Sequence, residues 1–303
     1  MEGERAQRPL PADALDVRLP DARTLPLVFS SPHSGRDYPP DFVAAARLDP
    51  VSLRRSEDCF VDEIFAAAPA LGAPLLSARF PRAYLDVNRE PWELDPGMFR
   101  EALPVFVNAT SPRVRMGLGT IARIVASGEE IYAKRLSFAE AARRVEALYY
   151  PYHRALARLV EETEAAFGGC LLVDCHSMPS AGGGARGGEG ADIVLGDCHG
   201  AACGKEIVER ARRFLERRGF AVALNAPYAG GFTTDHYGRP RQSRHALQIE
   251  INRALYMDER SYRKKPGLVR LAAEMARFIE ELGRLVGDSL APAEPDPRRV
   301  AAD

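Results

Sequence analysis

Two histidines in this chain each follow an apolar run and each precede a serine. Residues 25–29 are apolar and lead to His33, and residues 170–173 lead in the same way to His176. Such runs predict buried strands that end in tight loops, and ligands bind at the carboxyl ends of strands in open α/β sheets. Because imidazoles are common zinc ligands, the pattern suggests one metal site built from distant segments. The competing interpretation is a pair of buried, hydrogen-bonded imidazoles.

A zinc site of this kind usually includes a carboxylate and leaves one position open for water. Glu57 and Asp58 are the best candidates, because they precede a predicted helix at the same sheet edge. Acidic residues are also favoured in the first turn of a helix, where they cap free N–H groups and complement the helix dipole. A purely structural role for the pair therefore stays open.

Glu250 is unusual because it lies inside an apolar segment, residues 245–253, that is predicted to form a strand. An ionised carboxylate is costly there unless it is paired or coordinated. Glu250 is therefore a candidate general base with a raised pKa. The structural alternative is an ion pair with Arg253 or another arginine.

Asn88 and Arg89 end a second predicted strand, residues 83–89. A guanidinium fork beside an amide suits a substrate carboxylate, because it can donate two parallel hydrogen bonds. Arg82 is close in sequence and could contribute. The alternative is an ordinary surface salt bridge.

Other motifs carry less weight. The tripeptide Asp-Cys-His occurs at 174–176 and again at 197–199, but its spacing does not match the usual Cys/His zinc patterns. The glycine-rich segment 180–190 lacks the Lys-Ser/Thr ending of a phosphate-binding loop and is predicted to be flexible. No Gly-x-Ser-x-Gly motif supports a serine hydrolase.

The composition is that of a globular protein with a sizeable core: 303 residues, 46% hydrophobic and 27% charged. The net charge of -1 gives no reason to expect nucleic acid or an anionic membrane as a partner. The five cysteines, with no apolar leader or membrane-length run, favour a cytoplasmic protein with reduced thiols.

Predicted strands and helices alternate along the chain without a break in composition. This favours one α/β domain over residues 25–287, with helices on both faces of a mixed sheet. We expect an N-terminal arm or edge segment over 1–24 and a disordered tail over 288–303. Helices are predicted at 59–68, 138–167 with an interruption at Pro151, 201–218 and 268–286, and a long loop over the sheet at 91–118.

With these residues in view, the chain resembles the N-formylglutamate amidohydrolase family. The likeness rests on short motifs whose order and spacing are specific. They are residues 31–35, 86–89, 117–119, 151–153, 173–177, 230–232, 236–238 and 248–253. That family is similar in turn to the zinc carboxypeptidase and aspartoacylase group. The resemblance therefore implies a zinc-exopeptidase-like fold, with three layers and a mixed, mostly parallel sheet.

The resemblance also implies roles for individual residues. The compact His-x-x-Glu motif of carboxypeptidases is absent after His33, and Asp58 matches the acidic position better than Glu57. The implied metal ligands are His33, Asp58 and His176, for Zn²⁺ or another divalent metal, and the implied base is Glu250. The implied substrate contacts are Arg82, Asn88, Arg89, His236 and Arg253, with Arg89 or His236 near the oxyanion.

The implied activity is zinc-dependent hydrolysis of the acyl amide of an N-acyl amino acid, foremost N-formyl-L-glutamate to formate and L-glutamate. A related amidase for another N-acyl amino acid or a short peptide is the first alternative. A non-catalytic binding protein on the same fold is the second. The implied partner is a small molecule, with no nucleic acid and no membrane. The sequence leaves open the oligomeric state and any place in histidine degradation.

Overall fold

The computed structural model describes residues 13–180 and 190–290. Most of the glycine-rich segment 180–190, and the tail beyond residue 290, lie outside these ranges, as do residues 1–12 of the predicted arm. All the residues singled out above for chemistry lie inside them.

A seven-stranded mixed sheet forms the centre of the molecule. Its strands are β1 (Leu15–Arg18), β2 (Leu27–Ser31), β3 (Leu75–Ala78), β4 (Cys170–Met178), β5 (Ile193–Gly196), β6 (Val222–Leu224) and β7 (Arg244–Asn252). Their order across the sheet is β1-β3-β2-β4-β7-β5-β6. The β1–β3 and β5–β7 pairs are antiparallel, and the other neighbours are parallel. A small hairpin pairs β8 (Met257–Asp258) with β9 (Arg263–Lys264).

Helices cover both faces of the sheet. They are α1 (Pro40–Ala45), α2 (Pro50–Leu53), α3 (Val61–Ile64), α4 (Pro112–Arg115), α5 (Phe138–Arg144), α6 (Tyr150–Phe167), α7 (Lys205–Arg217), α8 (Phe232–Tyr237) and α9 (Gly267–Leu290). One apolar core packs α3, α7 and α9 against one face, and a second packs α5 and α6 against the other. The three-layer α/β arrangement is therefore confirmed.

The alternation of β7 decides where polar groups can lie. Leu247, Ile249 and Ile251 face the core beneath α9, while Ala246 faces the other core. Because side chains alternate along a strand, Glu250 points to the same side as Ala246. The polar residues of the central strands thus lie beyond the end of the second core, at the carboxyl edge of the sheet.

Several predicted elements need correction. Residues 83–89 form turns and not a strand, because the Asn88 N–H donates to Asp86 Oδ1 at 2.8 Å and not to a neighbouring strand. The predicted helix 59–68 is reduced to the single turn of α3. Residues 288–290 are helical, as part of α9, and not disordered.

The predicted break near Pro151 has a specific form. A π-helical segment, Val145–Tyr149, joins α5 to α6, and Pro151 occupies one of the first two positions of α6. Proline lacks the N–H that would bond to the preceding turn, and the wider π turn directly before it is where the regular helical pattern is interrupted. Within the described residues, no helix combines the length and hydropathy needed to cross a bilayer.

Phe278 tests the core beneath α9. Its side chain is fully buried, so Phe278→Ala should lower the free energy of unfolding by about 3–5 kcal/mol, through lost contacts and the cavity left behind. Val269 on the same helix is 77% exposed, and Val269→Ala should cost less than about 0.5 kcal/mol. Urea unfolding of both variants measures the difference, and equal losses would contradict this packing.

Candidate active site

Three adjacent parallel strands bring the predicted chemistry to one edge of the sheet. His33 follows the end of β2, while His176 and Glu250 lie near the ends of β4 and β7. The register sets His176 directly beside Glu250, and Ser30 beside Asp174. The edge predicted from the two apolar runs is therefore the edge at which these side chains meet.

His33, Asp58 and His176 form one buried cluster. The imidazole centroids are 4.8 Å apart. Asp58 Oδ2 lies 3.4 Å from His33 Nδ1 and 3.1 Å from His176 Nδ1. The Asp58 N–H donates to the His33 carbonyl oxygen at 2.9 Å, which fixes the two loops together. Within residues 13–180 and 190–290, this is the one group of at least three His, Cys, Asp or Glu side chains close enough to share a metal ion.

The structure also distinguishes between the two acidic candidates. Glu57 accepts hydrogen bonds from Arg54 at 2.9 Å and Tyr38 at 3.3 Å, so its carboxylate turns away from the histidines. Asp58 alone of the pair faces His33 and His176. The second Asp-Cys-His tripeptide, at 197–199, contributes nothing to the cluster.

Two further carboxylates hold the outer nitrogens of the imidazoles. His33 Nε2 lies 2.7 Å from Asp86 Oδ1, and His176 Nε2 lies 3.1 Å from Asp174 Oδ2. An ionised carboxylate can only accept, so the Nε2–H of His33 donates to Asp86 and its Nδ1 faces Asp58. His176 Nε2 lies 3.1 Å from both Asp174 Oδ2 and Asn88 Nδ2, and its Nδ1 faces Asp58 Oδ2. Carboxylates in this position fix the tautomer and orientation of metal-binding histidines. Sequence reasoning missed both, although a buried Asp two residues before His176 was a usable signal.

His33 Nδ1 tests whether the cluster suits a cation. This atom is buried and has no hydrogen-bond partner among the described residues. When Nε2–H donates to Asp86, Nδ1 of the neutral ring carries a lone pair that faces the Asp58 carboxylate, and two acceptors repel one another. Buried polar atoms rarely stay unsatisfied, and two imidazoles with one carboxylate are a usual donor set for zinc. The residues therefore fit a divalent cation.

The charges of the cluster also favour a bound cation. Burial opposes the charged form of His176, but Asp174 and Asp58 outweigh it and hold the pKa of the ring well above its ordinary value. Burial also opposes ionisation of Asp58, yet the adjacent imidazoles of His176 and His33 and the charge of Arg253 hold its pKa well below the usual range. The site thus carries enough negative charge to hold a positive species.

Glu250 lies beside the cluster and is 8% exposed. Gln248 Nε2 donates to its Oε1 at 3.0 Å. Among the described residues it forms no ion pair, since Arg253 instead contacts Asp58 Oδ1 at 3.0 Å. Burial outweighs the nearby positive charges and raises the pKa of Glu250 to about 7. A carboxylate with a pKa close to neutrality can both accept and return a proton.

The predicted substrate arginines differ in how their donors are used. Arg89 donates to the backbone oxygens of Leu118 at 2.8 Å and Asn88 at 2.7 Å. Arg253 donates to Ser177 Oγ at 3.0 Å as well as to Asp58. Arg82 uses only Nε, which donates to Asp86 at 2.9 Å, and its two terminal NH₂ groups have no hydrogen-bond partner in the described part of the chain.

Asn88 is locked in place beside these arginines. Its Oδ1 accepts from the Thr233 N–H at 2.8 Å, and its Nδ2 lies 3.3 Å from Asp174 Oδ2. Gly231 packs so closely that a Cβ there would lie 2.3 Å from Asn88 Nδ2, and only glycine fits. The motifs at 86–89 and 230–232 therefore depend on each other.

The structure does not bring His236 to this site. Thr233, Thr234 and Tyr237 are the buried residues of α8, and they fix its inner face. His236 lies on the outer face, exposed, with its ring stacked 4.8 Å from Phe232. The predicted contact with substrate or oxyanion is therefore wrong for this conformation.

A cavity of about 560 Å³ opens over the cluster. Its floor includes the three cluster residues and Glu250, and the segment 113–126 builds much of one wall. Residues 113–118, the end of the loop predicted at 91–118, form part of this wall, and α4 lies within that predicted loop. Arg113 and Tyr228 also line the cavity, and sequence reasoning missed both because nothing local marks them.

A cavity that joins a possible metal site to a buried glutamate is the arrangement of a hydrolase active site. Comparison with known proteins names the family. Residues 25–257 match the family model described as N-formylglutamate amidohydrolase, and the chain belongs to that family. It is thus a hydrolase that acts on an amide bond, and the resemblance drawn from the short motifs is confirmed.

Individual relatives carry the same family name. The chain is 29% identical over 238 residues to N-formylglutamate deformylase of Pseudomonas putida, which covers 78% of this chain and 83% of that protein. It is 29% identical over 240 residues to the enzyme of the same name from Pseudomonas aeruginosa, with 78% and 84% covered. A crystal structure of N-formylglutamate amidohydrolase from Ralstonia eutropha JMP134 is 36% identical and superposes with a TM-score of 0.86, over 91% of this chain and 99% of that chain.

Asp174 gives a test of the metal centre that leaves the three ligands unchanged. Asp174→Asn keeps the shape of the side chain but weakens the hold on His176 Nε2, so zinc affinity should fall by about 10–100-fold. Competition with a chelating indicator measures this, with circular dichroism as a check on folding.

The matched control is Asp235→Asn, since Asp235 is exposed on α8. It should bind zinc as the unmodified protein does. An Asp174→Asn protein that is folded and keeps full zinc affinity would contradict the assigned role of Asp174.

Proposed function

We propose that the protein hydrolyses N-formyl-L-glutamate to formate and L-glutamate, using a divalent cation, foremost Zn²⁺, held by His33, Asp58 and His176. The observation that carries the proposal is the buried Nδ1 of His33, which faces Asp58 without a hydrogen-bond partner in the described part of the chain, while Glu250 lies in the same cavity. The identity of the substrate is inferred from the names of the relatives, and the cavity contains residues suited to that substrate.

The cation would contribute one kind of chemistry. Bound by these three residues, it would supply Lewis acidity that lowers the pKa of water and stabilises negative charge on the amide oxygen. The structure offers no thiolate to such an ion, because every side chain of the cluster is an imidazole or a carboxylate. Such a nitrogen and oxygen set suits zinc.

Glu250 then has the role of proton carrier. It accepts a proton from water as the water oxygen forms a bond to the formyl carbon. When the carbon–nitrogen bond breaks, Glu250 returns that proton to the leaving amine. Gln248 holds one carboxylate oxygen of Glu250 and leaves the other for this exchange.

Arginines in the wall of the cavity bind the carboxylates of the substrate. Arg82 is anchored through Nε, and its terminal NH₂ groups are open, so it can clamp a carboxylate near the reacting carbon. Arg89 and Asn88 lie beside it in the same wall. Burial lowers the pKa of Arg89 to about 10, and its guanidinium therefore stays charged at neutral pH.

A second candidate is an amidase for a larger N-acyl amino acid. A formyl group needs little room, and the cavity of about 560 Å³ could admit larger acyl groups. Pocket volume alone therefore does not restrict the enzyme to formyl, and substrate comparison is needed to separate the two activities.

Glu250→Gln tests the proposed base. The amide keeps the size of the side chain but cannot accept the proton, so kcat for N-formyl-L-glutamate should fall by about 10²-fold or more. Metal content, measured by plasma mass spectrometry, should be unchanged because Glu250 is not among the ligands.

The control for this experiment is Glu280→Gln, an exposed change on α9 that should leave kcat as it is. A Glu250→Gln enzyme with near-full turnover would remove Glu250 from the proposed mechanism.

Metal removal tests the cation and the substrate together. Treatment with EDTA should abolish turnover, and added zinc should restore it, since the Lewis acidity is lost and regained. The assay compares N-formyl, N-acetyl and N-succinyl derivatives of glutamate and aspartate. The proposal expects the highest kcat/KM for N-formyl-L-glutamate.

Other results would redirect the assignment. A higher kcat/KM for the acetyl or succinyl compounds would favour the second candidate. Full turnover in protein shown to be metal-free would refute the role of the cation. Protein with no stoichiometric metal and no turnover would favour a binding function.

A further inference from the structure

Arg113 differs from the other arginines of the cavity. Arg82, Arg89 and Arg253 each donate to an acceptor within 3.0 Å. Arg113 lines the same cavity, but its guanidinium makes no hydrogen bond to any residue that the structure describes. Its nearest carboxylate oxygen is Glu93 Oε2, at 4.0 Å, which is beyond hydrogen-bond distance.

The backbone of Arg113 is nevertheless firmly held. Ser111 Oγ accepts from the Val114 N–H at 3.1 Å and caps α4, and the Leu118 N–H donates to the Arg113 carbonyl oxygen at 2.8 Å. Val114 is buried in the core beneath. The chain therefore fixes where the side chain of Arg113 starts and leaves all its donors available to the cavity.

Glu93 explains how an unbonded guanidinium is kept there. Its side chain is 4% exposed, and Oε2 is buried without a hydrogen-bond partner in the described part of the chain. The Glu93 carbonyl oxygen accepts from the Thr120 N–H at 2.8 Å, so its backbone cannot shift toward Arg113. The carboxylate attracts Arg113 to this wall through charge alone and occupies none of its N–H groups.

A ligand with two carboxylates matches this division of donors. Arg82, beside the metal cluster, can take the carboxylate next to the scissile amide. A second carboxylate farther along the substrate then needs another open guanidinium. Arg113 presents one from the wall built by residues 113–126. Guanidinium and carboxylate form paired, charge-assisted hydrogen bonds when both are free to do so.

We propose that Arg113 binds the side-chain carboxylate of the amino acid and so makes the enzyme select dicarboxylic N-acyl amino acids. This inference rests on the proposed function. In this inference Arg113 discriminates between an acidic and a neutral amino acid in the substrate. The metal cluster and Glu250 carry out the reaction. Arg113 is then a specificity residue that leaves the scissile bond to others.

Arg113→Gln tests the inference with two nearly isosteric substrates. For N-formyl-L-glutamate, kcat/KM should fall by about 10–100-fold, mainly through KM, because charge-assisted bonds to the carboxylate are lost. For N-formyl-L-glutamine, which lacks that charge, kcat/KM should change by less than about threefold. Arg113→Lys keeps the charge and should recover part of the preference.

The matched control is Arg115→Gln on the same helix. Arg115 is exposed and donates to the Thr110 carbonyl oxygen at 2.7 Å, and it does not line the cavity. This variant should treat both substrates as the unmodified enzyme does. Equal losses on both substrates with Arg113→Gln, or an unchanged preference for the glutamate derivative, would overturn the inference.

A binding measurement separates this inference from the proposed function. If the unmodified enzyme fails to cleave N-formyl-L-glutamate, the proposed function falls, and calorimetry with L-glutamate and L-glutamine then decides the role of Arg113. Preference for L-glutamate that is lost in Arg113→Gln supports the inference. No preference in the unmodified protein, or one that Arg113→Gln retains, refutes it.

Discussion

Four carboxylates buried at one edge of the sheet impose the main constraint on this structure. Each is less than a tenth exposed, and an ionised carboxylate removed from water costs several kcal/mol unless opposite charge and hydrogen bonds replace the lost hydration. Apolar packing cannot supply this compensation. The surrounding chain must therefore deliver cationic groups to the same place from several distant segments. The four are Asp58, Asp86, Asp174 and Glu250.

Asp86 connects the two halves of the site. It accepts from His33 on the metal side and from Arg82 on the substrate side, and it also accepts the Asn88 N–H. Burial opposes its ionisation, but Arg82, Arg89 and His33 hold its pKa well below the usual range. One charged carboxylate thus orients a metal ligand and a substrate-binding group together. These bonds also explain why the segment turns here and does not form a strand.

Sequence reasoning succeeded where local pattern decides position. Strand alternation and the abrupt ends of apolar runs located His33, His176 and Glu250, because a strand end fixes both the depth and the edge at which a side chain emerges. The same reasoning failed at 83–89, where alternation resembled a strand but side-chain bonds to the backbone prevailed.

Other parts of the site depend on packing between distant segments. His236 belongs to one of the short motifs that suggested the resemblance, but the inner face of α8 is set by contacts that no local pattern reveals. Arg113 carries no sequence signal at all, since an arginine in a short helix is ordinary. Its proposed role appears only in the fold, where Arg82, Arg89 and Arg253 each donate to an acceptor and Arg113 has none among the described residues.

The charges in and around the cavity support the proposed preference for an anionic substrate. Arg82, Arg89, Arg113 and Arg253 offset four of five carboxylates, namely the buried four and Glu93. With Glu250 ionised and a divalent cation in place, these groups leave a small positive excess. Arg89 and Arg253 donate their hydrogen bonds to the protein and keep the site assembled without substrate. This lowers the entropy that must be lost when substrate binds. Substrate recognition therefore depends on Arg82 and Arg113, whose guanidiniums have open donors. A substrate with two negative charges can bind both, and it changes the net charge of these groups from slightly positive to slightly negative.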